Sequence, residues 1–327
     1  MTATMAALVC TGLDGPGDMV LQHVPRPSLK SGGVLIEAHA WGVNYADALM
    51  TRGKYQTRPE PPFIAGCELS GTVIDVADDV HGVEVGARVA ALAPGGGFAE
   101  IVPADAYRVL PLSSHAEFAT GAGFFSGYAT AMHGLRQRAQ LKAGETLLVL
   151  AAGGGTGLAA VDVGIALGAK VIAVAGSERK LTSAAAHGAQ TIDYSRCDVG
   201  EEIRRMTGGE GVDVVFDPVG GDLFDRVCRR VRWNGRYLVV GFASGRIPSF
   251  PVNLCLVKGF SLVGVFADDF MRKEPAASLA NARMLNDLLE QGRLSPQIKV
   301  VEGLRNIPKL LEDIEHGSLI GKVVVRR

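Results

Sequence analysis

Leu147-Leu148-Val149-Leu150-Ala151-Ala152-Gly153-Gly154-Gly155-Thr156-Gly157-Leu158 carries a buried apolar strand straight into a glycine turn that opens a helix. Gly153, Gly154 and Gly155, without side chains, let the backbone turn tightly and approach an anion closely. The unpaired N–H groups at the following helix start point at that anion, so the order of elements builds a pyrophosphate cradle. Gly157, one turn into the helix, allows the helix to lie close against the strand. The spacing is Ala-x-x-Gly-x-x-Gly, not the literal G-x-G-x-x-G, so the pattern draws its weight from what flanks it.

What flanks it is a repeating strand and helix rhythm. Leu158, Val161, Ile165 and Gly168 recur at helical spacing, and Lys170 to Val174 reads as a short buried strand. Lys180 to His187 reads as helix with Gly188 as its stop, Thr191 to Tyr194 as strand, Gly200 to Thr207 as helix and Val212 to Phe216 as strand. Gly221 to Trp233 reads as helix, Arg236 to Val240 as a fifth strand and Ser261 to Phe266 as a sixth. Six parallel strands with crossover helices predict an α/β, doubly wound Rossmann domain that binds a dinucleotide.

The end of the second strand selects the dinucleotide. Selectivity for NAD calls for Asp or Glu there, about 20 residues past the glycine turn, to hold the ribose hydroxyls. This chain has Ala175-Gly176-Ser177-Glu178-Arg179-Lys180 instead. A small hydroxyl and two cations favour a 2′-phosphate, which predicts NADPH. Glu178 runs against that pattern unless it points to solvent from the first helical turn, and the lesser alternative is that Arg179 and Lys180 are solvated surface charges.

At 327 residues, two domains are expected. Lys and Arg number 33 against 34 Asp and Glu, which gives no electrostatic case for nucleic acid or an anionic membrane. No basic residue precedes Arg26, and no apolar stretch is long enough to span a bilayer, so a cytoplasmic protein is expected. Cys10, Cys67, Cys197, Cys228 and Cys255 are scattered singly, and the seven histidines form no H-E-x-x-H array, so no metal site is expected.

From Ala6 to about Leu110, short apolar segments alternate with Gly and Pro turns: Gly33 to Ala40, Gly71 to Val76, Arg88 to Ala93 and Ala99 to Val102. That pattern predicts an all-β, partly open barrel. After Phe266 come an amphipathic helix, Ala276 to Gln291, and two strand-like pieces, Gln297 to Val301 and Lys322 to Arg326, which are expected to return to the first domain. The expected division is 1–124 with 267–327 as a mostly-β catalytic domain and 125–266 as the inserted cofactor domain, with a substrate cleft between them.

Read in order, Val43-Asn44-Tyr45-Ala46-Asp47, Arg52-Gly53-Lys54-Tyr55, Pro62 to Gly71, Gly96-Gly97-Phe98-Ala99-Glu100, Ala151 to Gly157, Gly235-Arg236-Tyr237 with Gly241, and Gly321-Lys322-Val323-Val324-Val325 span essentially the whole chain. This succession resembles the zinc-independent quinone oxidoreductase branch of the medium-chain dehydrogenase/reductase superfamily. The resemblance implies a Rossmann domain inserted into a GroES-like catalytic domain, a homodimer joined along cofactor-domain strands such as Ser261 to Phe266, and NADPH-dependent reduction of quinones. Zinc-dependent relatives carry a metal-binding Cys near the place of Asn44 and a His within the stretch that is Gly66-Cys67-Glu68 here. Without that Lewis acid an acceptor must already be electrophilic, as quinones and α,β-unsaturated carbonyls are.

By the same resemblance, Asn44 lies near the nicotinamide ribose and substrate, Asp47 supports its loop, and Tyr55 is the nearest hydroxyl for the acceptor. Asn44 also fits a plain turn residue, and Tyr55 an ordinary loop tyrosine. Ala152, Gly153, Gly154, Gly155, Thr156 and Gly157 form the cofactor turn. Thr130 matches a position near the nicotinamide, Ser177, Lys180 and Tyr194 match positions around the 2′-phosphate, and Gly241, Phe242, Val265 and Phe266 fall at strand ends beside the nicotinamide. Ala151 stands where many relatives have glycine, Thr156 where valine is common and Ala87 where Asp is usual. An alkenal or enone double-bond reductase fits the same residues, and so does a non-catalytic NADPH-binding structural or sensing protein.

Overall fold

The computed structural model describes residues 3–113 and 115–327. The chain divides into two units, Met1–Ser126 with Pro296–Arg327, and Gly127–Ser295.

The first unit opens with β1 (Thr4–Cys10), β2 (Met19–Pro25) and the long β3 (Gly33–Val43), then α1 (Tyr45–Thr51). β4 (Phe63–Ile64), β5 (Glu68–Val76), β6 (Arg88–Leu92), β7 (Ile101–Asp105) and β8 (Val109–Pro111) follow, and α2 (Phe118–Met132) leads out of it. β3 organises the sheet because three strands share it: β5 pairs with it from Val34 to Gly42, β7 takes its first half from Gly33 to Glu37, and the chain's last strand takes its end from Ala40 to Val43. That third pairing extends β3 three residues beyond the segment expected from sequence. Trp41 and Ile36 of β3 are buried in one core with Leu69, Met50 and Phe98, and the Trp41 indole N–H donates to the Ala99 carbonyl at 3.1 Å. Burying side chains of this size contributes roughly 1.5–3 kcal/mol each.

The second unit alternates β9 (Thr146–Leu150), α3 (Gly155–Ala166), β10 (Lys170–Ala175), α4 (Glu178–Ala186), β11 (Gln190–Asp193), α5 (Val199–Met206), β12 (Val212–Asp217), α6 (Gly221–Val227) and β13 (Val231–Val239). It closes with α7 (Asn253–Lys258), β14 (Ser261–Gly264), α8 (Ala267–Lys273) and α9 (Pro275–Glu290). All six strands are parallel, in the order β11-β10-β9-β12-β13-β14. Leu147 to Leu150 of the central β9 are fully buried, which is why that strand reads as an unbroken apolar run. The order reverses between β9 and β12, the switch point at which sheets of this kind bind ligands.

β15 (Ile298–Glu302), α10 (Ile307–Glu315) and β16 (Lys322–Arg326) complete the first unit, β16 pairing antiparallel with β3 as its expected return required.

Two expectations are corrected. The helix expected over Gly221 to Trp233 ends at Val227, and after a short 3₁₀ turn the chain is already strand from Val231. Asn234, at φ 60°, marks an irregularity in β13, and the register with β12 shifts between Val212 and Val214; the bulge hides the strand's period. Residues 267–295, expected with the barrel, fall in the second unit. The Asn281 carboxamide oxygen of α9 accepts from Arg136 at 2.8 Å and Gln137 at 2.9 Å, and the Ser295 N–H donates to Asp162 at 2.8 Å. No helix among the described residues is long and apolar enough to cross a membrane.

Candidate active site

The glycine turn is built by exclusion of side chains. Ala151, leaving β9, is held at φ 50°, and its carbonyl oxygen would lie 2.1 Å from any Cβ at Gly157. Only glycine at 157 therefore lets α3 start where it does. Gly154 is the N-cap of α3 and supplies no side chain to it, which leaves the first helical N–H groups without a side-chain cap. Ala152 is anchored beneath the turn by its N–H to the Val174 carbonyl at 3.1 Å. A Cβ at Gly153 would stand 2.4 Å from the Lys180 Cβ, so the stem of Lys180 lies over the turn.

Gly176 is covered in the same way by Tyr194, whose phenol would come within 2.6 Å of a Cβ there. Ser177 follows as the exposed N-cap of α4. Ser177, Lys180 and Tyr194 are thus gathered at the ends of β10 and β11, beside Gly153. Glu178 points to solvent, 80% exposed, with Arg196 at 3.6 Å. Arg196 also lies 3.5 Å from Asp193 and adds a cation that nothing in its local sequence advertises.

Thr130, half-buried on α2, lies one turn beyond Gly127, where a Cβ would meet the Gly155 carbonyl at 3.4 Å. Across the switch point, the Asp217 carboxylate accepts from the N–H groups of Val219 and Gly220 and from the Tyr237 hydroxyl at 2.7 Å. Burial pushes the Asp217 carboxyl up, against those three bonds. The Gly241 N–H donates to the Asp217 carbonyl at 3.3 Å, and the Phe242 ring lies over Gly220, 2.8 Å from the place of a Cβ. Val265 is buried and Phe266 is 45% exposed, both just past β14. Thr156, on the first turn of α3, is half-buried. Apart from Thr130, every candidate of this unit sits at the carboxyl ends of the parallel strands, and the bare turn with its overlying cation fits a dinucleotide phosphate.

In the first unit, Asn44 is the N-cap of α1, and its backbone N–H donates to the Asp47 carboxylate at 2.8 Å. Asp47 is fully buried, and that burial raises its carboxyl to about 6, against the opposing pull of the Asn44 N–H, the Cys67 thiol and the Lys322 charge. The Asn44 side chain joins a second group. Its Nδ2 donates to Glu68 Oε2 at 3.2 Å and to the Gly42 carbonyl at 3.3 Å, while Lys322 Nζ donates to Asn44 Oδ1 at 2.5 Å. Lys322 Nζ also pairs with Glu68 Oε2 at 2.6 Å, and Glu68 Oε1 accepts the Ser126 N–H at 2.7 Å. Gly42 makes the cluster possible, since a Cβ there would lie 2.0 Å from the Ala122 carbonyl and 2.6 Å from Glu68 Oε2.

Asn44 and Asp47 are therefore brought together. Tyr55 lies in the loop after α1, half-buried, with its ring against the barrel core and its carbonyl accepting from Arg58 at 3.3 Å. Glu68 and Lys322 are the members to which sequence reasoning gave no role beside Asn44. Their signal was two opposite charges set into apolar strands, where unpaired charges are not buried.

Among the described residues, no group of three or more His, Cys, Asp and Glu side chains is placed to hold a metal ion. At Asn44 itself the donor set does not fit zinc: an amide stands in place of a thiolate, and the Glu68 carboxylate is paired with an ammonium that would repel a second cation.

Residues 30–133 match the family model for the alcohol dehydrogenase GroES-like domain, and residues 155–282 that for zinc-binding dehydrogenases. Quinone oxidoreductase-like protein 2 of Bos taurus is 36% identical over 98% of this chain and 91% of that protein, and quinone oxidoreductase of Rattus norvegicus is 30% identical over 98% and 97%. The solved quinone oxidoreductase of Pseudomonas syringae superposes with a TM-score of 0.93 at 27% identity, over 99% of this chain and 100% of that one. That of Escherichia coli, complexed with NADPH, gives 0.91 at 25% identity over the same shares. An inserted doubly wound unit in a GroES-like unit defines a medium-chain dehydrogenase/reductase. The chain belongs to the quinone oxidoreductase branch of that superfamily and is an oxidoreductase.

Proposed function

We propose that the chain is an NADPH-dependent, zinc-independent reductase that delivers hydride to quinones. The observation that carries this reading is the end of β10, where Lys180 lies over the glycine turn, Ser177 and Tyr194 flank it, and the one nearby carboxylate on that helix start, Glu178, points to solvent. A 2′-phosphate would be held there by the Lys180 ammonium and by hydroxyl donors, while the uncapped start of α3 would take the pyrophosphate.

When bound, NADPH supplies a hydride from its reduced nicotinamide ring. The chain's own residues orient the reactants and exclude water. Phe242, Val265 and Phe266 offer an apolar wall at the strand ends, Thr130 adds a hydroxyl, and Asn44, backed by Asp47, orients the ribose and acceptor. A quinone needs no Lewis acid, because delocalisation stabilises the anion formed on reduction. The five cysteines are all free, the state kept by a reducing compartment such as the cytoplasm. The enzyme is a homodimer paired through β14.

The test is steady-state reduction of a quinone panel with NADPH and with NADH, followed by nicotinamide absorbance. NADPH is expected to give the higher kcat/KM, Lys180→Met to erase most of that preference, and Asn44→Ala to lower kcat/KM. Equal use of the two cofactors would overturn the NADPH assignment. Turnover of enones and not quinones would move the chain to the double-bond reductases, and tight binding of NADPH with no acceptor reduced would make it a sensor.

A further inference from the structure

Arg196 stands beside the start of α4 with its hydrogen-bonding capacity unused. The loop after β11 closes on Asp193, whose Oδ1 accepts the Ser195 N–H at 2.9 Å and the Ser195 hydroxyl at 2.6 Å, and whose carbonyl accepts the Arg196 N–H at 3.1 Å. That turn sets Arg196 two residues past Tyr194, whose N–H donates to the Ala175 carbonyl at 3.2 Å and whose ring covers Gly176. The guanidinium is left between two carboxylates, its Nη2 3.6 Å from Glu178 and its Nε 3.5 Å from Asp193. Both separations are longer than an N–H···O hydrogen bond, and among the described residues the guanidinium donates to no partner.

We infer that Arg196 is a specificity-determining residue of the cofactor site, whose guanidinium exchanges its loose pairing with Glu178 for the 2′-phosphate of NADPH. The inference rests on the proposed NADPH reading and adds to it a residue from outside the set Ser177, Lys180 and Tyr194. The pairing given up joins side chains 71% and 80% exposed, where water screens the charges and the attraction is small. A phosphate monoester presents about two negative charges and three acceptor oxygens, and a planar guanidinium can donate to two of those oxygens at once. Asp193 does not compete for that grip: its Oδ1 is taken by Ser195, and its Oδ2 faces Nε, which leaves Nη1 and Nη2 for the ligand. Lys180 and Arg196 together then match the charge of the phosphate. NADH has a neutral hydroxyl in its place and leaves Arg196 with Glu178.

The experiment has two arms. In the first, NADPH and NADH are titrated into the parent chain and into Arg196→Met, and the ratio of the two affinities is expected to fall about tenfold in the variant, the scale of a charge-assisted hydrogen bond. The second arm needs no variant. The unmodified chain is treated with a dicarbonyl reagent that condenses with accessible guanidinium groups, and the adduct at Arg196 is followed by peptide mass spectrometry. Adenosine 2′-phosphate, at about ten times its Kd, is expected to slow modification of Arg196 about tenfold by mass action, and adenosine 5′-phosphate at the same concentration to leave the rate as it is in the free chain.

An unaltered affinity ratio in Arg196→Met, or an Arg196 that adenosine 2′-phosphate fails to shield, would overturn the inference and leave the NADPH reading resting on Ser177, Lys180 and Tyr194. A parent chain that binds the two dinucleotides equally would bring down the NADPH reading itself, and the role of Arg196 with it.

Discussion

At Ala151 and Gly157 the same atom sets two opposite tolerances. Ala151 occupies a left-handed conformation, φ 50°, which costs an L-residue roughly 1–2 kcal/mol. Its carbonyl then passes 2.1 Å from the place of a Gly157 Cβ. Gly157→Ala must push that carbonyl, and the turn with it, out of position, and is expected to destabilise the chain by about 1–3 kcal/mol, as overpacking does, and to weaken NADPH binding more than tenfold. Ala151→Gly relieves the strained φ but frees the unfolded chain, so its net gain is expected to stay below about 1 kcal/mol. Thermal unfolding and NADPH titration of the two variants check this, and a Gly157→Ala protein with unaltered affinity would remove the turn from the cofactor site. The glycines were legible because their chemistry is local. Lys322 was not, because its partner Asn44 lies 278 positions away and only β16 pairing with β3 brings them together.

Among the elements, strands buried on both faces spoke most clearly: β9, β10 and β12 are apolar runs because successive residues, which point to opposite faces, are all buried along most of their length. β13 was blurred at its start, where Asn234 at φ 60° interrupts the alternation and Trp233 stands 67% exposed. Sequence placed 267–295 with the wrong unit, since an amphipathic helix announces that it packs but not against what. β14 is the last strand of its sheet, and Leu262 on it is 40% exposed. Close by in sequence, Val252, Leu256 and Val257 are 78%, 82% and 65% exposed. An open strand edge beside exposed aliphatic side chains is where the proposed dimer would pair, since a second copy there would extend the sheet and cover them. Leu256→Lys with Leu262→Lys is therefore expected to turn a dimer into a monomer on size-exclusion chromatography with light scattering, at nearly unchanged unfolding temperature. A chain that is monomeric without the substitutions, or still dimeric with them, would refute pairing through β14.

For the whole molecule, two buried groups in different units give the pH response opposite slopes. His133 is stacked on Phe270 with ring centroids 3.9 Å apart, and burial, helped by the Arg138 charge, lowers it to about 4. The unfolded chain binds a proton there below about 6.5 that the folded chain refuses, so its contribution to stability is present above that pH and is lost as pH falls towards 4. Asp47, raised by burial to about 6, does the reverse: the folded chain holds a proton that the unfolded one releases above about 3.8, so stability falls as pH rises from 4 to 6. Each shift is worth at most about 3 kcal/mol, and between pH 4 and 6 they oppose one another. Single substitutions separate them. His133→Phe keeps the stack and removes the titrating ring, and is expected to flatten the loss of stability of the second unit in acid. Asp47→Asn keeps an acceptor for the Asn44 N–H and removes the buried charge, and is expected to make the first unit relatively more stable at pH 7 than at pH 4. Urea unfolding at pH 4, 5, 6 and 7, followed in each variant, reads both slopes; parallel curves for the parent chain and both variants would mean that neither group titrates differently in the folded state.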